Sequence, residues 1–128
     1  MAKLRVLIVD DDESIHDLIC GLLGDKLFEF EHARDTNLAV DRFSSFLPDL
    51  VLLDINMPGA NGFVALRRMR SLARDASRTC KIVMLTGNTT REDVSTALAY
   101  GADDYMAKPI DKKTLAHKIL RHFPGAVG

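Results

Sequence analysis

Short apolar runs alternate along this chain with stretches in which apolar residues recur every three or four positions. The runs predict strands, and the recurring spacing predicts helices that bury one face. The runs at positions 4–9, 50–53 and 82–85 are almost wholly apolar, which is typical of central strands buried on both sides. The predicted strands are Leu4 to Val9, the alternating Phe28-Glu29-Phe30-Glu31, Leu50 to Leu53, Ile82 to Leu85 and Tyr105 to Ala107.

Five helices are predicted, one after each strand. The third predicted helix runs from about Phe63 to Leu72. The apolar faces predicted for the other four are Ile15, Leu18, Ile19, Leu22 and Leu23; Ala39, Val40, Phe43 and Leu47; Val94, Ala97 and Leu98; and Leu115, Ile119 and Phe123. Side chains that can cap helix starts are Asp35 or Thr36, Thr90 and Asp111. Gly24 and Gly101 stand where the first and fourth helices should end.

Strands that alternate with helices indicate an α/β fold with a parallel sheet, right-handed crossovers and helices on both faces. Five such units fit the flavodoxin-like doubly wound sheet with strand order 2-1-3-4-5 and five helices, although periodicity alone does not give that order. We expect one domain over residues 1–124. Residues 125–128 are expected to be a C-terminal tail or the start of a linker to an output domain.

Composition removes several classes of function. The 17 Lys and Arg against 18 Asp and Glu give a net charge of −1, whereas a domain that binds nucleic acid by itself usually has a basic excess. No apolar run approaches the length of a membrane span, and the start resembles no signal peptide. Cys20 and Cys80 form no C-x-x-C pair. We therefore expect a cytoplasmic protein with reduced thiols and no direct contact with membrane or nucleic acid.

Candidate chemistry follows the strands, where the carboxyl ends of a parallel sheet meet. Asp10 and Asp11 follow the first strand, and Asp54 follows the third. Thr86 and Lys108 follow the fourth and fifth. Oxygen ligands without Cys or His suit Mg2+. An aspartate can act as a nucleophile, and a lysine, a hydroxyl and Mg2+ complete a set suited to phosphoryl transfer.

Four motifs at these strand ends resemble the receiver domains of bacterial response regulators, over about residues 4 to 123. The motifs are Val9-Asp10-Asp11, Leu52-Leu53-Asp54-Ile55-Asn56-Met57-Pro58-Gly59, Met84-Leu85-Thr86-Gly87 and Tyr105-x-x-Lys108-Pro109. Each motif alone is a weak signal, but four in the same order make a specific one.

The resemblance implies a role for each matching residue. Asp54 is implied as the phosphoacceptor, and Asp10 and Asp11 as Mg2+ ligands together with Asp54 and the backbone carbonyl of Asn56. Thr86 and Lys108 are implied to bind phosphoryl oxygens, Tyr105 to act as an aromatic switch coupled to Thr86, and Lys108-Pro109 to be a cis peptide. Asn56 and Asn88 stand where the family tunes hydrolysis of the acyl phosphate.

The same resemblance implies a signalling switch rather than an enzyme, one that catalyses only its own phosphorylation and dephosphorylation. The expected donor is a phosphohistidine on a histidine kinase or a histidine phosphotransfer protein. The expected readers of the switch are a downstream protein or a fused output domain, which bind the fourth helix, fifth strand and fifth helix. The chain is expected to be a monomer or a phosphorylation-dependent dimer.

Two other functions compete with this one. A phosphatase of the haloacid-dehalogenase type would use Asp10 as the nucleophile, since Asp10-x-Asp12 after a strand resembles its first motif. That hypothesis leaves Asp54 without a role, and the chain is short for such a fold. The other alternative is a receiver-like interaction module that takes no phosphate. Such modules usually lack one of the acids or the lysine, all of which are present here.

Each candidate also has a purely structural interpretation. Asp10 to Glu13 could cap the first helix, and Asp54 could start a turn. Thr86 could end a strand, Lys108 could be solvated, and Tyr105 could be a half-buried strand aromatic. The remaining polar candidates are interpreted as structural: His16, His32, His117 and His122 as surface or flanking residues, and Asp103-Asp104 as a polar loop.

Overall fold

The computed structural model describes residues 3–57, 60–87 and 91–125. Its main elements are a sheet of five parallel strands and five helices. The strands are β1 (Leu4–Val9), β2 (Phe28–Ala33), β3 (Leu50–Asp54), β4 (Lys81–Thr86) and β5 (Asp104–Ala107). The helices are α1 (Glu13–Leu23), α2 (Thr36–Phe46), α3 (Gly62–Asp75), α4 (Arg91–Ala99) and α5 (Lys112–His122).

The sheet has the order β2-β1-β3-β4-β5, and each neighbouring pair is parallel. This confirms the predicted flavodoxin-like fold and its order 2-1-3-4-5. A short antiparallel hairpin, in which Asn56–Met57 pairs with Ala60–Asn61, forms a separate sheet after β3 and was not predicted. The strand order reverses between β1 and β3, so a crevice is expected at their carboxyl ends.

Alternate strand residues point to opposite faces of the sheet, and each face carries its own apolar core. β3 is buried along its whole length, as its unbroken apolar run predicted. On one face the buried residues include Leu7, Val9, Leu53 and Met84 packed with Phe43, Leu66, Met69 and Ala97. On the other face they include Val6, Ile8, Leu52 and Leu85 packed with Ile19, Leu115 and Ile119.

Aspartates cap three of the helices. The side chains of Asp12, Asp35 and Asp111 accept hydrogen bonds from the backbone N–H groups near the starts of α1, α2 and α5. This confirms Asp111 and decides for Asp35 over Thr36. The predicted cap Thr90 lies outside the described residues, as does Asn88.

Three predicted core positions are wrong. Leu18, Leu47 and Leu98 are exposed. In α1 the buried residues are His16 and Ile19, so the buried stripe is turned away from Leu18. α2 ends at Phe46, and Leu47 adopts a left-handed backbone conformation at its C-cap instead of continuing the apolar face.

Gly62, at the start of α3, generates the first testable prediction. A Cβ atom there would lie 2.2 Å from the backbone oxygen of Asp54 and 2.8 Å from Cα of Ile55. Backbone atoms cannot move aside cheaply, so we expect Gly62→Ala to lower the free energy of unfolding by more than about 2 kcal/mol. Urea unfolding followed by circular dichroism measures this change.

Gly21→Ala, in the last turn of α1, is the matched control, because a Cβ there meets nothing within 4 Å. Alanine is the better helix former, so this variant should be more stable by up to about 1 kcal/mol. If the two variants were equally stable, the close approach of Gly62 to β3 would be wrong.

Candidate functional site

Three carboxylates meet at the carboxyl ends of β1 and β3. Asp10 and Asp11 follow β1, and Asp54 is the last residue of β3, whose Leu53 pairs with Val9. One oxygen from each carboxylate lies within 4.8 Å of the others. Asp10 is 0% and Asp54 4% exposed, whereas Asp11 is exposed. Two of the three carboxylates, those of Asp10 and Asp54, are therefore buried, and the cluster reaches solvent at Asp11.

Lys108 places a positive charge against this cluster. Its Nζ lies 2.8 Å from Oδ2 of Asp10 and 3.5 Å from Oδ2 of Asp54. The residue follows β5, precedes a cis peptide to Pro109, and donates its backbone N–H to the carbonyl of Thr86 at 2.8 Å. The structure thus brings together the three acids and the lysine that the sequence placed at separate strand ends.

The two buried carboxylates differ in how fully their oxygens are engaged. Oδ2 of Asp10 accepts from Lys108, and its Oδ1 accepts from the N–H of Asp12 at 3.0 Å. Oδ1 of Asp54 accepts from the N–H of Asn56 at 3.1 Å, while among the described residues the contact of its Oδ2 is the longer one with Lys108. The carboxylate oxygens of Asp54 are therefore less fully hydrogen-bonded than those of Asp10.

Burial and the negative charge of Asp10 raise the pKa of Asp54, although Lys108 and the N–H of Asn56 oppose the shift. Burial would lower the pKa of Lys108, but its hydrogen bond to Asp10 and the nearby carboxylates raise it overall. Two carboxylates about 5 Å apart repel by roughly 3 kcal/mol at an effective dielectric of 20. One shared lysine leaves this site short of positive charge.

The donor set fits a hard divalent cation. All three side chains offer carboxylate oxygens within a small volume, and one of them faces solvent. Mg2+ prefers oxygen ligands, uses one or two carboxylates and keeps several waters, for which the open side at Asp11 leaves room. Such a cation would also supply the positive charge that Asp10 and Asp54 lack.

Comparison with known proteins supplies the remaining evidence. Residues 6–120 match the family model of the response regulator receiver domain. This chain belongs to that family. The phosphate regulon transcriptional regulatory protein PhoB of Klebsiella pneumoniae is 36% identical over 117 residues, which cover 90% of this chain and 49% of PhoB. The DNA-binding response regulator MtrA of Mycolicibacterium smegmatis is 37% identical over 117 residues, covering 91% of this chain and 49% of MtrA.

A solved structure agrees with the family assignment. The chemotaxis protein CheY4 of Vibrio cholerae matches with a TM-score of 0.86 and 30% identity over 95% of this chain and 100% of that one. The chain spans about half the length of the curated relatives PhoB and MtrA. It is a receiver domain of two-component signalling, a family of signalling switches. No helix in the described ranges is both long and apolar enough to cross a bilayer.

The other residues predicted for the receiver site are Thr86 and Tyr105 on neighbouring strands and Asn56 in the hairpin after β3. Thr86 is fully buried at the end of β4, directly after Leu85, which pairs with Asp54. Asn56 is exposed in the hairpin, two residues beyond Asp54. Tyr105 is half-buried on β5, and Nζ of Lys118 lies 5.2 Å from the centre of its ring.

The interpretation of His16 as a surface or flanking residue is wrong. This side chain is only 6% exposed, and its Nε2 lies 3.1 Å from the backbone carbonyl oxygen of Asp10. Burial lowers the pKa of His16 despite that hydrogen bond, so the ring is neutral at pH 7. A carbonyl only accepts hydrogen bonds, so Nε2 must carry the proton. His32 and His117 are exposed, as predicted.

The interpretation of Asp103-Asp104 as a polar loop is wrong for Asp104, whereas Asp103 does lie in a bend before β5. Asp104 is 6% exposed and begins β5. It accepts from Nζ of Lys118 at 2.8 Å and contacts Nε2 of His122 at 3.0 Å. Burial would raise the pKa of Asp104, but these bonds lower it overall. The available signal was the spacing of Lys118 and His122, which puts both on one face of α5.

The raised pKa of Asp54 gives a prediction with a definite sign. The folded state binds this proton more tightly than the unfolded chain, so ionised Asp54 destabilises the fold at neutral pH. Without divalent cations, Asp54→Asn should raise the free energy of unfolding at pH 7 by about 1 kcal/mol. The gain should shrink as the pH falls through the folded pKa of Asp54 toward 3.8, its ordinary value.

Urea unfolding at several pH values, with a chelator present, measures this difference. Asp75→Asn, at the exposed end of α3, is the control and should leave stability nearly unchanged at every pH. A gain for Asp54→Asn that stayed constant or grew on acidification would contradict the electrostatic account.

Proposed function

We propose that this receiver domain accepts a phosphoryl group on Asp54 from a phosphohistidine, in a reaction that needs Mg2+. Receiver domains act with histidine kinases or histidine phosphotransfer proteins, and one of these is the proposed donor. The observation that carries the proposal is the placement of Asp54. It lies buried beside Asp10 and within 3.5 Å of Lys108, with one oxygen weakly engaged.

The arrangement favours Asp54 over Asp10 as the nucleophile. Both carboxylate oxygens of Asp10 already accept short hydrogen bonds, and the residue is fully buried. A nucleophile needs an oxygen that can reach phosphorus in line with the leaving group. Asp10 is therefore assigned to charge and metal binding, which removes the basis for a phosphatase of the haloacid-dehalogenase type.

In the proposed step an oxygen of Asp54 attacks phosphorus and the N–P bond of the donor breaks. The electron pair stays on the imidazole nitrogen, which takes up a proton. Mg2+, when held by Asp10, Asp11, Asp54 and the backbone carbonyl of Asn56, supplies positive charge to the phosphoryl oxygens. Lys108 turns from the carboxylates to one of these oxygens.

The added phosphoryl group is what operates the switch. It brings nearly two negative charges and new acceptor oxygens. The hydroxyl of Thr86, at the end of β4, donates a hydrogen bond to a phosphoryl oxygen. The ammonium of Lys108, after the end of β5, pairs with another. Their shift changes the packing of Tyr105 on β5. We place the readout on the output face, which comprises α4 (Arg91–Ala99), β5 (Asp104–Ala107) and α5 (Lys112–His122).

The receiver domain is proposed to span residues 1–124 and to work in the cytoplasm. It would catalyse only its own phosphorylation and dephosphorylation. Its partners would be the phosphohistidine donor and either a downstream protein or an output domain. PhoB and MtrA are named as transcriptional and DNA-binding regulators. With a net charge of −1, any effect of this domain on DNA would pass through another domain or partner.

Labelling with acetyl phosphate tests the site. In the presence of Mg2+ the wild-type chain should gain one phosphoryl group, detected by intact-mass spectrometry, and Asp54→Asn should gain none. Asp75→Asn, which changes an exposed acid far along α3, should be labelled like the wild type.

Two results would contradict the proposal in different ways. Labelling that survived Asp54→Asn but was lost in Asp10→Asn would make Asp10 the nucleophile and favour the phosphatase. A wild-type chain that took no phosphoryl group and showed no Mg2+-dependent response to beryllofluoride would instead be an interaction module.

The metal ligands can be tested without phosphorylation. Mg2+ at a hundred times its dissociation constant should raise the free energy of unfolding of the wild type by about 2.7 kcal/mol. Asp11→Asn removes the exposed acid and should lose most of this gain while staying folded. Asp12→Asn, which alters only the cap of α1, is the neighbouring control and should keep the gain. Equal responses from the two variants would reject Asp11 as a ligand.

A further inference from the structure

Asp10, at the end of β1, is held from two sides through its backbone. Its N–H donates to the carbonyl oxygen of Ala33 on β2 at 3.1 Å. Its own carbonyl oxygen accepts from Nε2 of His16 on α1, also at 3.1 Å. The imidazole of His16 therefore helps to fix the peptide that joins Asp10 to Asp11.

Packing alone does not account for a histidine at this position. The ring is almost completely buried, yet its Nδ1 has no hydrogen-bond partner among the described residues. A buried polar atom without a partner destabilises a fold, so packing alone would favour an apolar side chain at this position. What the imidazole adds is the single hydrogen bond to the carbonyl of Asp10.

The ring of His16 also packs against a residue of the edge strand β2. The exposed ring of His32 on β2 lies 4.6 Å from the ring of His16, centre to centre, at an interplanar angle of 60°. His32 stands one residue before Ala33, which binds the N–H of Asp10. The edge strand thus contacts both the acid and the histidine that holds it.

We propose that His16 is a positioning residue for the metal site, which sets the backbone of Asp10 and Asp11 for binding Mg2+. Asp11 is exposed, so its carboxylate is placed largely by the backbone that carries it. Loss of the hydrogen bond leaves the peptide between the two acids free to rotate, and the pair is no longer preset for the cation. This inference rests on the proposed function, because it assumes a Mg2+ site at these acids.

The test separates the hydrogen bond from the packing of the ring. His16→Phe keeps a flat ring but removes the donor, and His16→Gln keeps an N–H donor at a similar reach. Isothermal titration with Mg2+ alone gives the dissociation constant of each variant. We expect His16→Phe to bind about tenfold more weakly, in line with the loss of other residues that orient metal ligands. His16→Gln should stay close to the wild type.

Two controls show that the effect is not loss of the fold. The thermal unfolding temperature of His16→Phe without Mg2+ should stay close to that of the wild type, because the loss of the unpartnered Nδ1 offsets the loss of a donor to the buried carbonyl of Asp10. His32→Phe keeps a neighbouring ring and should leave the affinity unchanged. In acetyl-phosphate labelling, His16→Phe should need about tenfold more Mg2+ for half-maximal rate and reach a similar maximum.

Several outcomes would overturn the inference. Equal Mg2+ affinity in the wild type and His16→Phe would do so, as would a His16→Gln variant as weak as His16→Phe. His16→Leu is the second donor-free variant, and if both donor-free variants failed to fold, His16 would be a structural residue only. A wild-type chain that bound no Mg2+ would reject the proposed function itself, and the role of His16 with it.

Discussion

The repulsion between the buried carboxylates of Asp10 and Asp54 is the constraint on which the rest of the site depends. Parallel strands with the order 2-1-3-4-5 bring these two acids together where the strand order reverses, and the burial of β1 and β3 keeps water from screening them. Lys108 must divide a single positive charge between them. The charge of the site therefore favours a bound cation. A phosphoryl group, which adds further negative oxygens, would need additional positive charge beside it.

The sequence predicted this arrangement because it depends on strand ends. Apolar runs locate the carboxyl end of each strand, and parallel pairing then requires Asp10, Asp54, Thr86 and Lys108 to share one edge. None of these steps needs the side-chain packing to be known. The switch roles proposed for Thr86 and Tyr105 do not follow from strand ends, because they depend on a second arrangement of the chain.

The features that the sequence missed depend on how elements pack. His16 looked peripheral because it lies outside the apolar spacing of α1, whereas in the structure the buried side of the helix includes His16 and leaves Leu18 exposed. Asp104 looked like a loop residue after Gly-Ala, because its burial is acceptable only once α5 supplies Lys118 and His122. A local sequence pattern indicates the type of secondary structure, but it does not show which face of a helix or strand the neighbouring elements will bury.

Asp54 and Asp104 differ in how fully neighbouring positive groups compensate their negative charge. Both are nearly fully buried, yet the pKa of Asp54 is raised and that of Asp104 is lowered. Asp104 has close contacts with Lys118 and His122 and a longer one with Arg121. Asp54 has one lysine at 3.5 Å, and that lysine is bound more closely to Asp10. A fold that neutralises one buried acid so fully could have neutralised the other. Under the proposed function, this shortage of positive charge would let Asp54 bind a cation and a phosphoryl group, and it distinguishes Asp54 from Asp104 independently of any relative.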